Sequence, residues 1–142
     1  MIYIIRHGQT DWNKIGRIQG HIDIDLNNQG KEQASVVKEK LKNIKFDKVF
    51  CSPLKRALQT AQTIYDGEII VDERLIERYN GELEGKLNSE IKVFPDFNDP
   101  NDTSYGIEPL TSFRTRVKDF FEEISTKYKN KNISIKNDFY VK

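Results

Sequence analysis

A chain of 142 residues, 32% charged and 37% hydrophobic, suits one ordinary domain rather than two, here 1–142 as a single unit. Its formal net charge of +1 lacks the basic excess of a nucleic-acid binder, and no apolar run approaches the roughly 18 residues of a membrane helix, so a cytoplasmic protein touching neither nucleic acid nor membrane is expected. The lone cysteine, Cys51, excludes an internal disulfide and a zinc–cysteine cluster; no metal and no cofactor are expected. Abundant Ile, Lys and Asn beside only three alanines suit an AT-rich bacterial genome.

Ile2 to Ile5 is too short for a signal peptide and reads as a buried strand. A helix is predicted from about Asn28 to Ile44, where Ala34, Val37, Leu41 and Ile44 recur at helical spacing, with Gly30 as a mild conflict. Lys48 to Cys51 reads as a second strand. Ser52 and Pro53 then open a helix to about Tyr65, with Ser52 as N-cap and Pro53 in the first helical position. Ile69 to Val71 is a third strand. Pro95 to Pro109, rich in Asp, Asn and Pro, reads as an exposed loop or lid. A last helix from about Thr111 to Lys129 gathers Phe113, Val117, Phe120, Phe121 and Ile124 on one face, and Asn132 to Ile135 is a final short strand. Strands alternating with helices predict an α/β fold of three layers, α/β/α, around a mostly parallel central sheet.

In open α/β sheets, ligands bind beyond the carboxyl ends of the strands. Arg6-His7-Gly8-Gln9-Thr10 follows the first strand and Ser52-Pro53-Leu54-Lys55-Arg56 the second. Two arginines, a histidine and a helix N-terminus would then share one edge. Guanidinium forks and free N–H groups both attract phosphate oxygens, so the combination reads as a phosphate site containing a histidine.

Arg6 to Thr10 with Trp12 and Asn13 resembles the opening signature of the histidine phosphatase superfamily, which includes the cofactor-dependent phosphoglycerate mutases. Further blocks resemble that family in its order: Gln19-Gly20 with Asp23, Leu26 and Gly30; Ser52 to Ala57 with Thr60-Ala61; Leu75 to Arg78 with Gly81 and Glu84-Gly85; and Gly106-Ile107-Glu108 before the last helix. The resemblance covers roughly residues 2 to 135 and implies a phosphoglycerate mutase-like fold. It implies that His7 is the nucleophile and forms a phosphohistidine. Arg6 and Arg56 would hold the phosphoryl oxygens, Asn13 and Gln19 would add hydrogen bonds, and Glu77 would protonate the leaving oxygen and then activate water. Adjacent arginines should lower the His7 pKa, and partial burial would have to raise that of Glu77. The short chain favours a phosphatase over a mutase, acting on a small phosphorylated substrate.

The remaining reactive groups read otherwise. His21 matches no catalytic position and reads as a surface loop residue; Glu82 and Glu84 read as solvated charges. Four residues separate Cys51 from Arg56, where a cysteine phosphatase loop needs five. Gly81 to Lys86 fails the P-loop pattern in its glycine spacing and in Leu87.

One departure from the family stands out. It places a second histidine, usually followed by glycine, just after the last core strand, and its closing helices and strand follow. Here Lys136-Asn137-Asp138 stands there, a carboxylate at Asp138 would repel phosphate, and Ser134 and Lys136 are unexpected in a buried strand. Three readings compete: a C-terminally shortened product of a longer gene, a short member with reduced activity, or a non-catalytic binder of a phosphorylated ligand. The shortening predicts marginal stability or association through the open edge, as in a homodimer.

Overall fold

Alternation of short β-branched runs with helical repeats builds a parallel sheet, and the order of its strands decides which residues meet. The structure is a computed structural model and describes residues 1–138. Strands β1 (Ile2–Arg6), β2 (Lys48–Cys51), β3 (Ile70–Val71) and β4 (Ile133–Asn137) form one sheet in the order β1-β4-β2-β3, every neighbouring pair parallel. Helices α1 (Asp11–Ile15), α2 (Asn28–Leu41), α3 (Lys55–Ile64) and α4 (Leu110–Lys127) complete the regular elements. The last strand in the sequence is thus central: Ile4 and Phe50 both pair with Ile135, one from each side.

Side chains alternate across β4, and the two faces differ in chemistry. Ile133 and Ile135 join Phe50, Leu75, Phe120 and Ile124 in the main core, under the aromatic stripe of α4. Each such buried side chain contributes on the order of 2 kcal/mol by leaving water. On the other face α3 packs Ala57 and Ala61 against Cys51, and α2 packs on α3. Ser134 and Lys136 face this side, where Tyr65 receives them. The Tyr65 hydroxyl is 2.5 Å from Ser134 Oγ, and Lys136 Nζ is 3.3 Å from Ser134 Oγ and 4.8 Å from the Tyr65 ring centre. Burial pushes the Lys136 pKa down to about 7.

Several expectations need correction. β1 is an edge strand, not a buried one: its register puts Ile2 and Ile4 on the face of Ile133 and Ile135, but they remain 38% and 43% exposed. Helix α3 starts at Lys55 with Leu54 as N-cap, because the Ser52 hydroxyl donates to Asp138 instead of capping the helix. Helix α2 ends at Leu41 rather than Ile44, and β4 runs on to Asn137. Between Pro95 and Pro109 the chain is irregular apart from a turn of 3-10 helix at Ser104–Gly106, and Asp96, Asp99 and Asp102 each accept a backbone N–H two residues on. Among the described residues no helix is long and apolar enough to cross a membrane.

Candidate functional site

The carboxyl ends of β1, β4 and β2 open into a polar cleft of about 250 Å³. All six residues singled out in the sequence line it: Arg6, His7, Asn13, Gln19, Arg56 and Glu77. So do Arg17, Asn80, Asn88 and Asp138.

His7 follows the last residue of β1 and is buried. Its Nδ1 lies 2.6 Å from the carbonyl of Gly8. A carbonyl can only accept, so Nδ1 carries the proton and Nε2 of the neutral ring keeps its lone pair. Burial is the largest cause holding the His7 pKa down at about 4, and the positive charges of Arg56 and Arg6 add to it. The arginine effect expected from the sequence is therefore present but secondary to desolvation.

The loop after β1 is fixed from two sides. The Gly8 N–H donates to Thr60 Oγ1 of α3 (3.0 Å), and Gln9 is tied to α2, its N–H donating to Gln33 Oε1 and its carbonyl accepting from Asn27. Gly8 and Gly30 touch backbone to backbone: a Cβ on Gly30 would lie 2.2 Å from the Gln9 carbonyl oxygen. Gly30, a conflict by helix propensity, is thus a packing requirement.

Thr10 caps α1 in a reciprocal box with Asn13, whose Oδ1 accepts the Thr10 N–H. Gln19 Oε1 accepts from the Thr10 hydroxyl at 2.5 Å. With both amide oxygens engaged, the amide nitrogens are the groups that could donate to an anion. Arg17, absent from the sequence expectations, stands in the same wall, with Nη1 donating to Gly85 and the guanidinium 5.5 Å from the Trp12 ring centre. It directly follows Gly16, the left-handed C-cap of α1, which is the only sequence signal for its position.

Arg56, in the first turn of α3, is 1% exposed. Its Nη2 and Nη1 donate to the carbonyls of Gly20 (2.8 Å) and Ile22 (3.1 Å), and its Nε is ion-paired with Asp138 Oδ1 at 3.0 Å. The α3 N-terminus is less open to an anion than expected, because Asp23 Oδ1 already accepts the Lys55 N–H at 2.7 Å.

Glu77 reaches the cleft from the segment after the 3-10 turn Glu73–Leu75. Burial pushes its pKa up to about 7, and the Asp138 charge adds to the rise. Its backbone is held by residues that sequence reasoning missed. Arg116 of α4 donates to the carbonyls of Arg74, Ile76 and Glu77 while forking onto both oxygens of Glu108. His21 Nε2 lies 2.7 Å from the Glu77 carbonyl, so His21 is a half-buried support of the acid loop rather than a free surface residue. Glu84 is also no solvated charge: its Oε1 accepts the N–H groups of His21 and Asn80. Glu82 is exposed. Cys51 is buried, and burial pushes its thiol up to about 12, which removes it as a nucleophile. Among the described residues no group of His, Cys, Asp and Glu is arranged to hold a metal ion.

The fold is thus a parallel α/β sheet with a neutral histidine, three guanidiniums and a protonatable carboxyl gathered at one edge. Residues 2–136 match the histidine phosphatase superfamily, branch 1, and the chain belongs to that family. It is 34% identical to phosphoserine phosphatase 1 of Hydrogenobacter thermophilus, over 94% of this chain and 68% of that protein. It is 42% identical to the fructose-2,6-bisphosphatase TIGAR of Xenopus tropicalis, over 84% of this chain and 47% of that protein. Among solved structures, a mutant phosphoserine phosphatase from Entamoeba histolytica in complex with phosphoserine superposes with a TM-score of 0.86 at 30% identity, covering 96% of this chain and 73% of that one. The chain thus spans between about half and two thirds of the length of these curated relatives.

Proposed function

We propose that the chain, as one domain over 1–142 (139–142 lying outside the described residues), hydrolyses a small phosphorylated metabolite through a phosphohistidine. The observation that carries this reading is the His7 tautomer, with Nδ1–H spent on Gly8 and Nε2 left nucleophilic in a cleft lined by arginines. The Nε2 lone pair attacks phosphorus, the phosphorus–oxygen ester bond breaks, and the leaving oxygen takes the Glu77 proton. A Glu77 poised near pH 7 suits that donation. The Glu77 carboxylate next takes a proton from water, the resulting hydroxide attacks phosphorus, and the nitrogen–phosphorus bond breaks to release phosphate. Arg6, Arg17 and Arg56 supply the positive charge around the phosphoryl oxygens, with Asn13 and Gln19 as further donors, so the reaction runs without a metal ion.

A second reading, a non-catalytic binder of a phosphorylated ligand, is favoured by Asp138, which stands where the family carries its second histidine. Losing one charge-stabilising donor costs on the order of 10²–10³-fold in rate, so slow turnover is expected rather than none. A mutase is the remaining alternative. The test is hydrolysis of p-nitrophenyl phosphate with and without EDTA. Turnover abolished by His7→Ala and indifferent to EDTA supports the hydrolase; turnover unchanged by His7→Ala refutes it.

A further inference from the structure

Each nitrogen of Arg56 has a partner inside the protein, although the Nε contact is an ion pair without hydrogen-bond geometry. Two of its nitrogens face the Gly20 and Ile22 carbonyls, and its third faces a carboxylate 3.0 Å away. Both side chains of that ion pair are essentially inaccessible, at 1% and 0% exposure. The carboxylate is itself held, because the Ser52 hydroxyl donates to its second oxygen. Strand order explains the meeting. β4 lies between β1 and β2, so the residue after β4 falls between His7 and the Ser52–Arg56 turn. Asp138 also lines the cleft that holds His7 and Glu77.

We propose that Asp138 sets the anion affinity of this cleft: its carboxylate is a built-in counter-ion on Arg56, and a phosphoryl group must compete with it for that guanidinium. The proposal rests on the phosphate-site reading of the cleft. A phosphate entering beside Asp138 meets a carboxyl that burial pushes above its ordinary pKa but that the Arg56 charge and the Ser52 hydroxyl draw back toward the ionised form, and a guanidinium that it already partners. Both effects weaken binding, together by about 10²-fold at the effective dielectric of such sites. An asparagine at 138 can still accept the Ser52 hydroxyl through its amide oxygen, and it removes the negative charge that faces Arg56.

Trp12 lines the cleft and is the sole tryptophan, so its fluorescence reports binding in the full-length chain. Inorganic phosphate and orthovanadate are titrated into the wild type and into D138N, D138S and D138E. D138N and D138S are expected to bind both anions about 10- to 100-fold more tightly, while D138E, which keeps the charge, stays as weak as the wild type. D138S serves if D138N fails to melt cooperatively. Cooperatively melting D138N or D138S that binds no tighter than the wild type overturns the proposal. Absence of binding by every variant overturns it together with the phosphate-site reading. Tight binding by D138N with p-nitrophenyl phosphate turnover indifferent to His7→Ala sinks the hydrolase and leaves this inference standing.

Discussion

Gly30→Ala sets two magnitudes against each other. Gly30 sits in the first turn of α2, and in a helix alanine is favoured over glycine by about 1 kcal/mol. By propensity alone the substitution stabilises. The structure reverses the sign. The new Cβ would lie 2.2 Å from the Gln9 carbonyl oxygen and 2.8 Å from the Gln9 nitrogen, and both are backbone atoms that cannot rotate away. Overpacking of this kind costs about 1–3 kcal/mol, and contact with backbone on a doubly anchored loop belongs at the upper end. A net loss of about 1–2 kcal/mol follows, or a fall in Tm of roughly 3–7 °C for a domain of this size. The displaced loop carries His7, so vanadate affinity should fall as well. Gly67→Ala is the internal control, because a Cβ there meets nothing within 4 Å and should leave Tm unchanged or slightly raised. Thermal denaturation followed by circular dichroism, with vanadate titration at 25 °C, measures both effects. A Tm for Gly30→Ala at or above the wild-type value would show that the loop yields freely and that the close approach does not position His7.

Arg116→Ala leaves the Arg74 and Ile76 carbonyls without their donor, removes one of two partners from the Glu77 carbonyl and takes the ion pair from half-buried Glu108, and should cost about 2–4 kcal/mol in urea denaturation; Arg116→Lys should recover only part of it, since a point charge cannot replace the fork, and a loss under about 0.5 kcal/mol would rule out the clamp. His7 and Glu77 should pull the pH dependence of stability in opposite directions. With the His7 pKa down from 6.5 to about 4, the native state binds fewer protons than the unfolded state across that window, and stability rises with pH. With the Glu77 pKa up from 4.5 to about 7, the native state binds more, and stability falls as pH rises. Relative to the wild type, His7→Ala should therefore tilt the profile downward and Glu77→Gln upward between about pH 4.5 and 6.5, and denaturation midpoints parallel to the wild type in both variants would refute the assignment. Lys136, with its pKa down from 10.5 to about 7, sheds its proton in the native state first, so wild-type stability gains from pH 7 towards 10. Lys136→Met should be the more stable protein below pH 7, with its advantage shrinking as pH climbs; an advantage independent of pH would mean that the lysine is not desolvated.

What the sequence made legible was local. His7 and Arg56 could be placed because each follows a strand, and parallel strands bring their carboxyl ends to one edge whatever their order. The Phe113–Ile124 stripe and the Lys48–Cys51 strand are periodic enough to be read without a partner. Ser52 was misread for the complementary reason. Its cap preference is a local rule, but its hydroxyl is taken by Asp138, 86 residues away, and that encounter exists only because β4 inserts between β1 and β2. His21 was misread in the same way, since loop composition says nothing of a carbonyl 56 residues further on. Ser134 and Lys136 were visible as misfits, yet nothing nearby in the sequence named Tyr65 as the group that accommodates them. Strand insertion also decides the chemistry at the cleft. Whatever residue follows β4 is delivered to Arg56, so on the proposed reading the side chain at 138 decides whether an anion meets a partner or a competitor there, while the His7 loop, the capping box and the Arg116 clamp are set by other elements.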